Sequence, residues 1–194
     1  MKIIFATHNE GKLIEMKKIL HDFEVVGAEE AGVFEDVVED GATFAENALK
    51  KARFVVSKTG AMAIADDSGA CIKALDGAPG IFSARWAGDN DIADFTLEKI
   101  KDVPESQRQA WFETAAALVL PDGREFVFTG QMHGNMTFEK RGESLPKLPY
   151  DSIFIPDGHT LTCAEMGNEA KNKISHRGQA FLELREFLLN HKNV

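Results

Sequence analysis

Two adjacent aspartates, Asp66 and Asp67, are the residues of this chain best suited to metal and water chemistry, and they follow the apolar run 61–65. Carboxylates hold Mg²⁺ while leaving several waters on the ion, and such a water can attack phosphorus. A solvated turn is the alternative, since Asp, Ser and Gly favour turns. Neighbouring side chains of an extended segment point to opposite sides, so only one carboxylate is expected to face a site unless the chain bends.

A second polar segment contains Thr7, Asn9, Gly11 and Lys12 and follows the apolar start of the chain. It lacks the spacing of a P-loop. A helix that begins here would direct free amides toward an anion, and Lys12 would add a point charge, which together predict a phosphate site. The alternative is that Asn9 only caps the helix.

The third segment is Ser175-His176-Arg177, at the start of a helix-like pattern. An imidazole and a guanidinium suit a nucleobase or a phosphate. Ser175 could instead cap the helix and leave the other two exposed. A cation at a helix N-terminus is unfavourable by roughly 0.3–1 kcal/mol, which is a small argument for a polar or anionic partner. The three segments together indicate an enzyme that binds a metal-complexed nucleotide.

Periodicity indicates which elements position these segments. Alternating strands and helices with a central hairpin predict an α/β domain with a mixed sheet. Thr43, with Glu46 three residues later, has the pattern of a capping box. The acidic stretch 28–42 is expected to be irregular and solvated. We predict strands over 2–6, 23–26, 61–65, 109–120 and 125–134, and helices over 12–20, 44–58, 91–101 and 175–190.

Composition narrows the class of protein. The 194 residues are enough for one domain, and the net charge of −9 argues against nucleic-acid partners, which need a basic face. We see no apolar run of membrane-spanning length and no signal peptide. Cys71 and Cys163 form no CxxC pair, so free thiols are expected. A cytoplasmic location follows by elimination.

Taken in order, these segments resemble the Ham1/inosine triphosphate pyrophosphatase family. The resemblance covers essentially the whole chain, and its order of motifs is highly specific. The matching stretches are ATHNEGKLIEMKKIL (6–20), EDGATFAENALKKA (39–52), AIADDSGACIKALDGAPGIFSARWAG (63–88), TCAEM (162–166) and KNKISHRGQAF (171–181).

The resemblance implies an elongated mixed β-sheet with flanking helices, in one domain (1–194) with two lobes around a central active-site cleft. It implies Mg²⁺-dependent hydrolysis of ITP, dITP and XTP to the nucleoside monophosphate and pyrophosphate. It also implies a homodimer. Two alternatives stay open: a nucleotide pyrophosphatase of shifted base specificity, and a nucleotide-binding protein without activity.

Roles follow from the resemblance at matching positions. Asp67 resembles the residue that binds metal and activates water, Asp66 its support, and Glu39 the second metal ligand. The residues that resemble the family's triphosphate and substrate contacts are Thr7, Asn9, Gly11, Lys12, Lys51, Ser68, Tyr150 and Asp151. Lys171, His176 and Arg177 resemble the base-recognising residues, with the last two near the 6-oxygen.

One loop departs from the family pattern. The family has GFGYDP, whose phenylalanine stacks on the base, where this chain has Lys147-Leu148-Pro149-Tyr150-Asp151-Ser152. Leu148 lacks an aromatic face, and Pro149 stiffens the loop. This departure therefore concerns base preference and affinity and not the reaction.

Overall fold

The computed structural model of the chain describes residues 2–144 and 148–191. Within these residues the fold combines strands and helices, as the periodicity predicts. The strands are β1 (Lys2–Phe5), β2 (Glu24–Gly27), β3 (Ala63–Ile72), β4 (Gln109–Val119), β5 (Glu125–Met136) and β6 (Phe154–Pro156). The helices are α1 (Glu10–Ile19), α2 (Phe44–Thr59), α3 (Ile92–Lys99), α4 (Cys163–Met166), α5 (Asn168–Ile174) and α6 (His176–Asn190).

The strands form one mixed sheet in the order β2-β1-β3-β4-β5-β6. β1 is parallel to β2, with Ile3 opposite Val25, and parallel to β3, with Phe5 opposite Ile64. β5 and β6 are antiparallel. Parallel neighbours need helical crossovers, and α1 and α2 supply them between β1, β2 and β3. The predicted α/β class with a mixed sheet and flanking helices is confirmed.

Strand β3 differs most from its predicted bounds. It was predicted to end before the aspartate pair, but it continues through both aspartates to Ile72. The alternative interpretation of Asp-Asp-Ser-Gly as a solvated turn is wrong. A strand can contain these residues because cations from other segments compensate their buried charge. Local strand propensity does not include such contacts between distant segments.

Helix α2 has clear signals at both ends. Thr43 Oγ1 accepts a hydrogen bond from the amide of Glu46 at 3.1 Å, and Gly60 ends the helix with φ 65° in the left-handed region. The capping box is displaced by one residue, because the Glu46 carboxylate accepts from the amide of Ala42 at 2.7 Å, not from that of Thr43. Helix α2 is thereby held at the position the pattern predicts.

The chain divides into two compact units. The first comprises Met1–Asp67, Thr114–Gly130 and Arg177–Val194, and the second comprises Ser68–Glu113 and Gln131–His176. Each has a hydrophobic core of its own. The first core includes Phe5, Ile64, Leu118, Phe181 and Leu184, and the second includes Ile72, Ile100, Phe112, Ile153 and Phe154.

Three short elements of the second unit were not predicted: β6, α4 and α5. Each has seven residues or fewer, too few to show a period. Cys71 and Cys163 are free, as expected, and both are buried. Across residues 2–144 and 148–191, no helix combines the length and apolarity that a membrane crossing requires.

Candidate active site

The turn between β1 and α1 holds the first group of predicted site residues. Asn9 is the N-cap of α1, and its Oδ1 accepts from the amides of Gly11 at 3.0 Å and Lys12 at 3.3 Å. Thr7 Oγ1 accepts from the amide of Asn9 at 3.2 Å. The predicted strand-to-helix turn is confirmed, but the Asn9 cap takes up two of the amides that were expected to be free for an anion.

Gly11 lies close against that cap. A Cβ at this position would lie 3.3 Å from Asn9 Oδ1, a tight contact. The side chain of Lys12 extends from the first turn of α1 and donates to both carboxylate oxygens of Asp66, at 3.1 and 2.9 Å. The first predicted segment and the aspartate pair are therefore brought together inside the first unit.

Asp66 is a buried anion held by cations. Its side chain is 2% exposed. Besides Lys12, Arg177 Nε donates to its Oδ2 at 3.2 Å, and Arg177 Nη1 donates to Glu15 at 3.2 Å. Burial by itself would raise the pKa of Asp66, but the charges of Lys12 and Arg177 outweigh it and hold that pKa well below its ordinary value. Asp66 is thus an ionised anchor for two cationic side chains.

Asp67 has a different set of neighbours. Its Oδ2 accepts from Asn47 Nδ2 at 2.9 Å, and its Oδ1 lies 3.9 Å from Lys51 Nζ. Burial raises the pKa of Asp67; Lys51 and Asn47 oppose this only in part, and the charge of Glu39 adds to it. A carboxylate with a raised pKa is a stronger base than an ordinary aspartate.

The two aspartates contact different groups, as alternation along an extended segment predicts. Hydrogen bonds join Asp66 to Lys12 and Arg177, while the corresponding bond of Asp67 comes from Asn47 on α2. One carboxylate therefore binds cationic side chains and the other faces the segment that carries Glu39.

Glu39 and Asp67, the two predicted metal ligands, converge on one cation. Lys51 Nζ lies 3.2 Å from Glu39 Oε1 and 3.9 Å from Asp67 Oδ1. Within residues 2–144 and 148–191 there is no group of three or more His, Cys, Asp or Glu side chains placed to hold a metal. Mg²⁺ is commonly bound through one or two carboxylates with waters and substrate phosphates completing its shell, so a two-carboxylate set fits it.

The second unit contains the remaining predicted residues. Lys171 and Asp151 form a buried ion pair, with Lys171 Nζ donating to Oδ1 at 2.8 Å and Oδ2 at 2.6 Å. Tyr150 donates its hydroxyl to the carbonyl of Ser83 at 3.0 Å, and burial raises its pKa. The loop that departs from the family pattern therefore has two firmly held side chains.

His176 and Ser68 complete the predicted set. The His176 ring stacks on Phe112 with centroids 5.2 Å apart and planes inclined by 21°. Ser68 lies within β3 and is partly exposed. Leu148 is partly buried just before Tyr150, whereas Lys147 lies outside the described residues.

Sequence reasoning missed Asn47, which contacts Asp67, and Glu15, which contacts Arg177. Asn47 had a usable signal: it lies on the same helical face as the apolar residues Phe44 and Ala48, and it is 1% exposed. A polar residue on a buried face needs hydrogen-bond partners, which makes it a candidate for a site. Glu15 offered no comparable signal, because surface glutamates are common on helices.

Comparison with known proteins supports the resemblance along nearly the whole chain. The sequence model of the Ham1 family matches residues 3–187. A dITP/XTP pyrophosphatase of Streptomyces avermitilis is 47% identical over 191 residues, which cover 94% of each chain. The Ham1 protein of Staphylococcus aureus has a TM-score of 0.89 and 36% identity, covering 98% of this chain and 100% of that one. A HAM1 protein from Coxiella burnetii has a TM-score of 0.90 and 37% identity, covering 98% and 99%. The chain belongs to the Ham1 family.

Proposed function

We propose that this chain hydrolyses deaminated purine nucleoside triphosphates, namely ITP, dITP and XTP, to the nucleoside monophosphate and pyrophosphate. The observation that carries the proposal is the pair Asp66 and Asp67 on β3. Asp66 is bonded to Lys12 and Arg177. Asp67 and Glu39 converge on the ammonium of Lys51. Relatives bearing the name dITP/XTP pyrophosphatase, at 45–48% identity over at least 90% of both chains, support the same reaction.

Mg²⁺ is the metal we propose, with Glu39 and Asp67 as its ligands. Their carboxylate oxygens are hard donors that already converge on the cation of Lys51, which supports their holding a divalent ion. When bound, Mg²⁺ supplies charge neutralisation at the triphosphate and a pool of water at the reacting phosphorus.

Asp67 is proposed as the general base. It would take a proton from the water that attacks the α-phosphorus, while the bond to the bridging oxygen breaks and pyrophosphate leaves. The hydrogen bond from Asn47 holds Oδ2, and Oδ1 is the oxygen on the Lys51 side. Asp66 supports this arrangement by holding Lys12 and Arg177.

The triphosphate contacts are proposed for cations and polar groups of the β1–α1 turn and of α2. Lys12 and Lys51 would offset the charge that develops on the phosphates. Both ammonium groups are already held by carboxylates, so they are in place before a phosphate arrives. The polar residues proposed to complete these contacts are Thr7, Asn9, Gly11 and Ser68.

Base recognition is proposed for Lys171, His176 and Arg177, with Tyr150 and Asp151 contributing to substrate binding. Inosine and xanthosine carry an oxygen at position 6, whereas adenine carries an amino group. Donors such as those of Arg177 can donate a hydrogen bond to the 6-oxygen, but they conflict with an amino group, which is itself a donor. The support for Lys171 is its ion pair with Asp151, which holds the ammonium group in one position.

At the level of the whole chain, we propose a single domain with two lobes, a cytoplasmic location and a homodimer. The buried, unpaired cysteines are compatible with a reducing compartment. Light scattering of the purified chain tests the dimer, for which the support is the family resemblance.

The test of the reaction is pyrophosphate release from ITP, dITP, XTP, GTP, ATP and dUTP, each with Mg²⁺ and with EDTA. We expect metal-dependent release that favours ITP, dITP and XTP. Release from a different nucleotide would support the second candidate, a pyrophosphatase of shifted base specificity, which Leu148 in place of an aromatic residue favours. ITP binding without release from any nucleotide would contradict an enzymatic role.

A further inference from the structure

The side chain of Asn47 contacts Asp67 and the backbone two residues after Glu39, and these two carboxylates are the ones proposed to bind metal. It is 1% exposed, on the buried face of α2. Its Nδ2 donates to Asp67 Oδ2 at 2.9 Å, and its Oδ1 accepts from the amide of Gly41 at 2.8 Å. Gly41 follows Glu39 by two residues. One amide therefore connects the proposed general base with the backbone next to the other carboxylate.

The backbone at Gly41 is shaped for this contact. A Cβ at this position would lie 2.7 Å from Asn47 Oδ1 and 2.8 Å from Glu46 Cβ, both too close. Glycine is needed here for close approach rather than for an unusual backbone angle. Only a residue without a side chain lets this segment reach the amide of Asn47.

Besides the contact of Glu39 with Lys51, two ion pairs join this segment to α2, and both are weak constraints. Glu35 pairs with Lys58 at 2.6 Å and Asp40 pairs with Lys50, but these four side chains are at least 38% exposed. Exposed ion pairs are screened by water and salt and contribute little. The buried hydrogen bond from Gly41 to Asn47 is shielded from both, so it constrains the Glu39 segment more strongly than these two exposed pairs.

We propose that Asn47 is a positioning residue that fixes the orientation of Asp67 and the location of Glu39 relative to each other. This inference rests on the proposed function, in which these two carboxylates hold a divalent cation. The planar amide suits this role because it donates on one side and accepts on the other. Groups that orient metal-binding carboxylates influence metal affinity and activity without touching the metal.

The test compares Asn47→Ala with Val55→Ala, a matched control at a buried residue of the same helix. Binding of Mn²⁺ alone is measured by electron paramagnetic resonance, and kcat and KM are measured for ITP at saturating Mg²⁺. We expect Asn47→Ala to weaken Mn²⁺ binding or lower kcat by about 10- to 100-fold. Val55→Ala should lower the melting temperature and leave both quantities within about twofold, the level expected for a change outside the site.

A second variant keeps the proposal testable if Asn47→Ala does not fold. Gly41→Ala places a methyl group against Asn47 Oδ1 and leaves every proposed ligand unchanged. It should reproduce the loss of Mn²⁺ affinity or kcat. In the double variant, the two fold-losses should not multiply, because both changes break the same hydrogen bond.

Two results overturn different statements. If Asp67→Asn is inactive while both variants match Val55→Ala in Mn²⁺ binding and kcat, Asn47 does not position the carboxylates. If Asp67→Asn retains wild-type turnover, the proposed function itself is wrong.

Discussion

At the scale of the residue, the site depends on two identical side chains in unlike surroundings. Asp66 and Asp67 are adjacent, yet the pKa of the first is lowered and that of the second is raised. The difference arises because Lys12 and Arg177 bond directly to Asp66, whereas Asp67 is buried near Glu39, and Lys51 and Asn47 offset its burial in part. This difference supports the proposed roles, in which Asp66 holds cations and Asp67 acts as the base.

The first prediction concerns the base. Asp67→Asn should lower kcat for ITP by at least about 100-fold, because general base catalysis contributes roughly 10²–10⁴ and the amide cannot accept the proton. The fold should be retained, since the substitution keeps the shape of the side chain. Turnover and thermal unfolding are measured on the same preparation, and a variant with wild-type kcat would contradict the assignment.

The second prediction concerns the loop that departs from the family pattern. Leu148→Phe should lower the KM for ITP, because stacking of an aromatic ring on a base is worth roughly 1–3 kcal/mol. Leu161→Phe is the control, since it adds the same ring at a leucine of the second unit that is 47% exposed. An unchanged KM in Leu148→Phe would count against the alignment of this loop with the base-stacking segment.

At the scale of the element, a buried arginine joins the end of a helix to the end of a strand. Arg108 is 1% exposed. Its guanidinium donates to the carbonyls of Ile100 and Val103 after α3, and to those of Met136 and Thr137 at the end of β5. The aromatic ring of Phe138 packs against the guanidinium, with its centroid 4.2 Å from Arg108 Cζ. A planar fork with several donors can bond to these carbonyls at once.

The third prediction follows from that geometry. Arg108→Lys should lower the free energy of unfolding by on the order of 3 kcal/mol, because a single ammonium cannot reach all of these carbonyls and leaves buried acceptors unpaired. The measurement is urea unfolding.

Arg124→Lys is the matched control for that measurement. The side chain of Arg124 is 52% exposed and pairs with Asp122, so its replacement should change the free energy of unfolding by less than about 0.5 kcal/mol. Equal stability of the Arg108 and Arg124 variants would show that the carbonyl contacts of Arg108 contribute nothing.

At the scale of the whole molecule, burial of charge links stability to pH. The folded state holds Asp66 ionised, so its folded pKa lies below the ordinary value of about 3.9. Its stabilising contribution is complete above that value and is lost as the pH falls through the folded pKa. Asp67, whose pKa is raised, contributes with the opposite sign, favouring the folded state at low pH.

The fourth prediction isolates Asp66 from Asp67. Wild type should exceed Asp66→Asn in free energy of unfolding at pH 7, and this difference should shrink below about pH 4. Asp67 is present in both proteins, so its contribution largely cancels. The difference in free energy of unfolding between the two proteins is measured by urea unfolding at pH 7, 4 and 3. A difference that stays constant or grows on acidification would contradict a lowered pKa for Asp66 in the folded state.

Much of the fold could be predicted from local pattern. The helical period of 44–58 agrees with α2 within one residue, and the Pro-Asp-Gly turn between two alternating runs predicts the β4–β5 hairpin. Helix α1 begins at Glu10, two residues before the predicted start, because Asn9 is its cap. These features depend on residues close in sequence, so a single sequence contains the information.

The residue types and order of the motifs are likewise a property of the sequence, and they identified the family. Tertiary structure decided which groups meet: Arg177 reaches Asp66 across 111 positions, and Asn47 reaches Asp67 across 20. It also decided that β3 continues through the aspartates. The physical reason is that a buried charge or amide is stable only beside the groups that compensate it, and segments distant in sequence supply those groups.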